Sequence, residues 1–283
     1  MARQKSDEKN FLYTEDNWLF YRDFVKSSGL PHIIESSNYT TRFRCGNINL
    51  NFMTTQQPNC VFAAYNMIKK NIKDKNLLPP DINLDDLAYF NFSIPDKILN
   101  TPFTEIWNVD IKSAYSTVLT QEKVIEPDTV NMLSRIPKTS RLVSVGMLAS
   151  KKLIRVYDGN NNLTEFKTEI APTANFFFLC VKKTGDFIQL AEQEIKNDFI
   201  FSWVDGIYCF SESGAKKVEK VLTGLGLKHK TRKYFDFIVK KTTSNSKIVT
   251  FCETPKGVKK TFLLPEMNTI YNQEIVKMLG LNY

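Results

Sequence analysis

The sequence predicts an α+β fold, and three features of the 283-residue chain support this prediction. Segments rich in β-branched and aromatic residues alternate with segments of helical hydrophobic period, which favours a mixed core over a helix bundle or a sandwich. Hydrophobic residues make up 42% of the chain and charged residues 24%, a balance typical of globular proteins with a sizeable core. No apolar run approaches the ~20 residues of a membrane helix, and residues 1–10 are polar and charged. We therefore expect an intracellular, cytoplasmic protein with no membrane partner.

The first hundred residues are predicted to form an N-terminal region, residues 1–104. Hydrophobic patterning indicates a helix over 17–27 and a strand over 42–52. Prolines at 79 and 80, and again at 95 and 102, interrupt regular structure toward the end of this region, because the residue before a proline disfavours the helical conformation.

Helices and strands interleave in the rest of the chain. Pro137 suits a first helical turn and opens a predicted helix over 138–152. The pair Asp158-Gly159 predicts a hairpin within 153–167, and Asp205-Gly206 predicts a second turn between two strands. The other predicted elements are strands over 105–111, 174–182, 199–204, 207–210 and 234–240, and helices over 184–197 and 214–222.

Scarce residue types exclude several classes of chemistry. Only two histidines occur, His32 and His229, which argues against histidine-rich metal sites and histidine-activated nucleophiles. The five cysteines contain no CxxC pair, so a zinc cluster is improbable and the thiols are expected to be reduced and mostly buried. The 11 glycines form neither GxGxxG nor the phosphate-binding GxxxxGK, which argues against dinucleotide cofactors and P-loop NTPases.

Positive charge is concentrated toward the C-terminus. The formal net charge is +8, yet residues 214–260 alone contain thirteen basic and three acidic residues. A basic surface of this kind suits a polyanion such as nucleic acid. A solvated lysine-rich face explains the same charge equally well.

Two aspartates follow hydrophobic, strand-like segments. Asp110 ends the run Trp-Asn-Val-Asp, and Asp205 ends the run Phe-Ser-Trp-Val-Asp. Alone, Asp110 could cap the next helix and Asp205 could serve a hairpin turn. Together, two carboxylates on neighbouring strands could hold a pair of Mg²⁺ ions for in-line phosphoryl transfer, with Mn²⁺ as a substitute.

The residues around both aspartates resemble the motifs of family B DNA polymerases. The segment Asp-Ile-Lys-Ser-Ala-Tyr-Ser at 110–116 is similar to motif A, Asp-x-x-Ser-Leu-Tyr-Pro, with Ala114 and Ser116 as departures. Val-Asp-Gly-Ile-Tyr at 204–208 resembles motif C, with Asp205 matching its second aspartate and Trp203 standing where the first would be.

Two weaker resemblances complete the order of the family's motifs. Lys138 followed by Gly146 is similar to motif B, although Leu, Val and Val at 142, 143 and 145 replace its Asn, Ser and Tyr. Arg-Lys-Tyr at 232–234 resembles the Lys-x-Tyr element that follows motif C. The order A, B, C, Lys-x-Tyr is the family's own.

The resemblance implies a role for each matching residue. Asp110 and Asp205 would ligate the metals, with the backbone carbonyl of Val109 or Ile111 as a further ligand. Tyr115 would exclude the ribose 2′-hydroxyl. The incoming dNTP would contact Tyr115, Ser113, Lys138 and Arg141, and the DNA primer-template would contact Arg232, Lys233 and Tyr234.

The same resemblance implies an architecture: an antiparallel palm sheet flanked by helices over 105–236, a short fingers insertion at about 120–152, and a small basic thumb over 237–283. The chain contains no Asp-x-Glu, so a proofreading exonuclease is not expected. This would be a minimal phage or mobile-element polymerase, alone or with other replication subunits. Two alternatives stay open: a degenerate palm that only binds nucleic acid, and an RNase H-like nuclease with Glu192 or Glu194 as third carboxylate.

Overall fold

The computed structural model describes residues 8–12, 15–37, 40–53, 59–82, 96–241 and 247–264. These residues form two compact units, one within 1–79 and 131–174 and one within 80–130 and 175–277. Each unit combines helices with a six-stranded sheet, which confirms the predicted α+β class. The segment 131–174 therefore belongs to the same unit as the first 79 residues, although it lies between two segments of the second unit in sequence.

Seven α-helices occur in the described part of the chain. None of them has the length and apolarity that crossing a membrane requires. Their bounds are α1 (Glu15–Ser27), α2 (Asn59–Asp74), α3 (Ala114–Gln121), α4 (Pro127–Arg135), α5 (Lys138–Gly146), α6 (Ala174–Ile195) and α7 (Glu212–Gly224).

The first unit is built on a sheet with the strand order β1-β4-β3-β2-β6-β7. Its strands are β1 (Glu8–Leu12), β2 (His32–Ser36), β3 (Thr40–Cys45), β4 (Ile48–Met53), β6 (Lys151–Tyr157) and β7 (Leu163–Ile170). All pairs are antiparallel except β1–β4. A buried cluster of Ile34, Phe43, Cys45, Leu50 and Phe52 lies on one face of this sheet.

The second unit is built on a fully antiparallel sheet with the order β12-β11-β10-β5-β9-β8. Its strands are β5 (Phe103–Ile111), β8 (Phe199–Trp203), β9 (Gly206–Cys209), β10 (His229–Lys241), β11 (Lys247–Cys252) and β12 (Lys259–Leu264). Side chains alternate between the two faces of each strand. Helix α7 packs against β5, β9 and β10 through its buried residues Ala215, Val218 and Leu222. The opposite face carries the aromatic core around Phe201, Tyr208, Tyr234, Phe237 and Phe251.

The predicted strand over 174–182 is wrong. These residues form the start of the 22-residue helix α6. The segment from Phe176 to Val181 is a nearly continuous apolar run, and such a run has no period that separates a buried strand from a helix buried on most sides.

Two other predicted elements have different bounds. The strand over 42–52 is a hairpin, because Gly46 adopts a φ of 55° and turns the chain between β3 and β4. The helix over 138–152 ends at Gly146; a 3₁₀ turn at Met147–Ala149 and strand β6 follow. The predicted hairpin around Asp158-Gly159 is confirmed by the pairing of β6 with β7.

Candidate functional site

The second sheet brings the two aspartates of the sequence motifs together. Asp110 is the penultimate residue of β5, and its Cα pairs with that of Gly206 on the neighbouring strand β9. The next residue, Ile111, donates its backbone N–H to the carbonyl oxygen of Asp205 at 2.8 Å. Both aspartates are half-buried at this end of the sheet. The antiparallel register between β5 and β9 therefore makes them neighbours, although they are 95 positions apart in the sequence.

Asp205 lies in the tight turn that joins β8 to β9. Trp203 pairs with Gly206, so Val204 and Asp205 are the two central residues of the turn. The turn therefore lies one position before the predicted pair Asp205-Gly206. Val204 adopts a φ of 54°, which is rare for a β-branched residue. Positive φ at the first central position is the pattern of a type II′ turn, where glycine is usual. Strain of this kind costs about 1–3 kcal/mol and is concentrated at functional sites.

Ser113 is a second backbone outlier, three residues after Asp110. It adopts a φ of 54° and precedes helix α3 without a capping hydrogen bond from its side chain. Its carbonyl oxygen accepts a hydrogen bond from the Ser116 hydroxyl at 3.0 Å. The chain thus turns sharply from β5 into α3. Ser113 with positive φ follows Asp110, and Val204 with positive φ precedes Asp205. Both motifs that resemble those of polymerases therefore contain a strained turn.

Gly206 has no side chain and so leaves room for the buried Asn108 amide beside Asp110. A Cβ at this position would lie 2.9 Å from Nδ2 of Asn108, which is two residues before Asp110 on the same face of β5. Asn108 is only 2% exposed, and its Nδ2 has no hydrogen-bond partner among the described residues. A buried amide donor without a partner costs about 1–3 kcal/mol, and it calls for a functional explanation.

Strand β10 adds positive charge on the same face. Lys230 pairs with Asp110, and Arg232 pairs with Asn108, so both cations share the face of the carboxylate. Both are exposed. A hydrogen bond from Arg232 to the Tyr234 side chain raises the guanidinium pKa, and the Asp110 carboxylate raises it further. Sequence motifs did not single out Lys230, because only the β5–β10 register places it beside Asp110.

The two carboxylates also affect the pKa of a buried tyrosine on this face of the sheet. Burial raises the pKa of the Tyr208 hydroxyl far above its ordinary value, and negative charge from Tyr234, Asp110 and Asp205 raises it further. The Tyr208 ring stacks on Phe201 with ring centroids 4.2 Å apart. The phenol therefore stays protonated and belongs to the core beneath the site.

Lys233 and Tyr234 lie on opposite faces of β10. Lys233 pairs with Trp107, on the face opposite to Asp110, and its Nζ lies 2.6 Å from Glu105 and 5.1 Å from the Trp107 ring centroid. Tyr234 shares the face of Asp110 but is 7% exposed and packs against Phe251. Of the predicted primer-template residues, Arg232 is the exposed one on the Asp110 face.

The predicted nucleotide-binding residues lie in both units. Tyr115 in α3 belongs to the second unit, is half-buried, and packs edge-on against Phe177 with ring centroids 5.6 Å apart. Lys138 and Arg141 lie on α5 in the first unit. Lys138 is exposed, whereas Arg141 donates from Nη1 to the carbonyl of Leu133 at 3.3 Å.

Asp110 and Asp205 have the oxygen chemistry that Mg²⁺ prefers. Proteins commonly hold Mg²⁺ with one or two carboxylates, and substrate phosphates and water supply the other ligands. Across the described ranges, no three side chains of His, Cys, Asp or Glu form a group that could hold a metal ion. Glu192 and Glu194 on α6 therefore do not complete a three-carboxylate site with the two aspartates.

Comparison with known proteins does not identify the family of this chain. The sequence matches no protein-family model, and no curated protein matches it. The functional interpretation therefore depends on the motifs and on the arrangement of the residues around Asp110 and Asp205.

Proposed function

We propose that the chain is a template-dependent DNA polymerase without a proofreading exonuclease, built on a palm-type sheet. The observation that carries the proposal is the position of Asp110 on β5 beside Asp205 in the β8–β9 turn. The motif resemblance selects these two residues from the 30 acidic residues of the chain. The strand register, which does not depend on that resemblance, makes them neighbours. An antiparallel sheet with helix α7 on its other face is the architecture that such a palm requires.

Asp110 and Asp205 would hold the divalent metals, with the backbone carbonyl of Ile111 as a further oxygen ligand. Bound Mg²⁺ supplies electrostatic stabilisation of the attacking and leaving oxygens of the phosphoryl transfer. The protein itself contributes positioning and positive charge, which is most of what phosphoryl transfer needs. The strained turns at Ser113 and Val204 fix the backbone on both sides of the carboxylates.

The remaining residues bind and select substrate. In this proposal Tyr115 and Ser113, both in the second unit, line the sugar of the incoming dNTP. Arg232 binds the primer-template, and Lys233 and Tyr234 support the same strand β10. Such an enzyme acts in the cytoplasm on phage or mobile-element DNA, together with other replication subunits.

A degenerate, non-catalytic palm is the second candidate, because Trp203 occupies the position of the first aspartate of motif C. Such a subunit would bind nucleic acid through Lys230 and Arg232 and transfer no nucleotide. Asp110 and Asp205 would then be dispensable for all measurable activity.

Primer extension separates these candidates. The full chain is incubated with a labelled DNA primer-template, dNTPs and Mg²⁺ or Mn²⁺. We expect elongation, and we expect Asp110→Asn and Asp205→Asn each to reduce it by about 10²–10⁴-fold, because each removes a carboxylate from the metal site. Asp186→Asn on α6, which breaks an ion pair with Lys182, is the matched control and should keep its activity.

Three other outcomes would contradict the proposal. Shortening of the primer would favour a nuclease. DNA binding without elongation in either metal would favour the degenerate palm. Elongation that survives Asp110→Asn would show that the two aspartates are not its metal ligands.

A further inference from the structure

Strand β7 forms one long edge of the first sheet. It is the last strand in the order β1-β4-β3-β2-β6-β7, and among the described residues it pairs with β6 alone. Its eight residues include no proline or glycine, and a bulge interrupts the pairing with β6 only near its start. Six of the eight residues are exposed. The outer N–H and C=O groups of such an edge are a template for pairing with a further strand.

An aromatic ring lies exposed in the middle of this edge. Phe166 is 55% exposed, and its partner across the β6–β7 ladder is Arg155. The guanidinium of Arg155 lies 5.7 Å from the centroid of the Phe166 ring. This cation–π contact holds the ring against the sheet, so its other side is available to a neighbouring strand.

The charges of β7 alternate in sign along the opposite face of the strand. Glu165, Lys167 and Glu169 are every second residue, and each side chain is about half exposed. Nζ of Lys167 lies 3.4 Å from Glu169 and 3.9 Å from Glu165. Exposed ion pairs of this kind contribute little to stability, so these groups can also pair with charges on another chain.

This alternation makes the strand complementary to itself. Two antiparallel copies related by a two-fold axis pair symmetrically about one central residue. Centring on Lys167 would place it opposite its own copy and Glu165 opposite Glu169, and like charges directly opposite destabilise a sheet. Centring on Phe166 places Glu165 of each copy opposite Lys167 of the other and brings the two exposed rings together.

Centring on Thr168 also opposes unlike charges, with Lys167 of each copy opposite Glu169 of the other. That register aligns only five residues of the strand, 166–170, whereas the register centred on Phe166 aligns seven, 163–169. Strand β12, the edge of the second sheet, lacks this property, because its two charged residues are Lys259 and Lys260. Like charge on an edge strand opposes pairing with its own copy.

We propose that β7 pairs with β7 of a second copy of this chain, antiparallel and centred on Phe166, so that two six-stranded sheets join into one. The inference uses residues of the first unit alone and does not depend on the proposed polymerase function. Each copy contributes a single strand, which gives an interface at the small end of specific ones. The dimer should therefore dissociate in the micromolar range.

Sedimentation equilibrium of the full chain at about 5–500 µM, a range that spans micromolar dissociation, tests the pairing. We expect the average mass to rise from 32.7 kDa toward twice that value. Lys167→Glu and Glu165→Lys should each weaken the dimer by about tenfold or more, because each places like charges opposite one another twice. The double variant Glu165→Lys/Lys167→Glu should restore it, because the opposed charges are again unlike.

Matched controls separate this pairing from general effects of charge and apolarity. Lys260→Glu makes the same change of charge on the edge strand β12 and should leave the dimer unchanged. Phe166→Ala should weaken the dimer by about tenfold, because two opposed rings are lost. Leu142→Ala, which removes a side chain of α5 that is 50% exposed, should not weaken it.

Hydrogen exchange locates the contact. Backbone amides on an unpaired edge exchange quickly and are protected when a strand pairs with them. In wild type, exchange within 163–170 should slow as the concentration rises, and in Lys167→Glu it should not. Exchange within 259–264 should be independent of concentration in both proteins.

Four results would overturn the proposal. The first is a wild-type chain that stays monomeric over the whole concentration range. The second is a dimer that Lys167→Glu leaves intact, and the third is a double variant no better than Lys167→Glu. The fourth is equal protection of 163–170 at all concentrations, which would show that another part of the same chain covers this edge. None of these results bears on primer extension, so the two proposals stand or fall separately.

Discussion

Replacing Asn108 with leucine is expected to stabilise the second unit by about 1–3 kcal/mol. Asn108 is 2% exposed and its Nδ2 lacks a hydrogen-bond partner among the described residues. Burying such a donor costs about 1–3 kcal/mol, and an apolar group of the same shape removes that cost. Leucine branches at the same carbon as asparagine, so it fits the volume without a new cavity.

Urea unfolding followed by tryptophan fluorescence measures the change, since Trp107 and Trp203 belong to the same sheet as Asn108. Asn175→Leu is the matched control. Nδ2 of Asn175 donates to the Pro80 carbonyl at 2.8 Å, so this variant should lose about 0.5–1.5 kcal/mol. A loss of stability in Asn108→Leu as large as that in Asn175→Leu would show that the Asn108 amide stabilises the fold, and the reasoning would be refuted.

Three further perturbations test other parts of the second unit. Gly214→Ala would drive a Cβ into the Asp198 carboxylate and should cost about 1–3 kcal/mol. Gly224→Ala on the same helix meets nothing within 4 Å and should gain up to about 1 kcal/mol. Changes of equal sign in urea unfolding would contradict this. Burial raises the pKa of the Cys209 thiol from 9.0 to about 12, so its contribution to stability is full below pH 9 and falls as pH rises toward 12. Unfolding free energies measured from pH 7 to pH 11 should decline more steeply in wild type than in Cys209→Ala, and parallel profiles would reject this. If the protein polymerises dNTPs, Tyr115→Ala should increase ribonucleotide incorporation and Tyr115→Phe should not, because the ring of Tyr115 provides the steric exclusion. Equal use of dNTPs and ribonucleotides by wild type would show that Tyr115 does not select the sugar.

The local pattern of the sequence predicted most of the elements that carry the motifs. The strand before Asp110, the two strands around Asp205 and helix α7 lie where alternation, turn residues and helical period indicated. The alternation of apolar and polar residues and the preference for turn residues are short-range properties, so a few consecutive residues are enough to show them. The same reasoning failed at α6, because its apolar run has no period that distinguishes a buried helix from a buried strand.

Only the tertiary structure decided which further residues lie beside the two aspartates. The pairing of β5 with β9 joins Asp110 to Gly206, and the pairing of β5 with β10 brings Lys230 beside the same aspartate. A shift of one residue in either register would move these side chains to the other face. Asn108 could have been found from its spacing to Asp110, but its burial and its missing partner could not. Register depends on contacts between strands that are distant in sequence. For that reason the motifs of the chain alone paired Asp110 with Asp205, whereas the placement of Lys230 and Asn108 beside them required the structure.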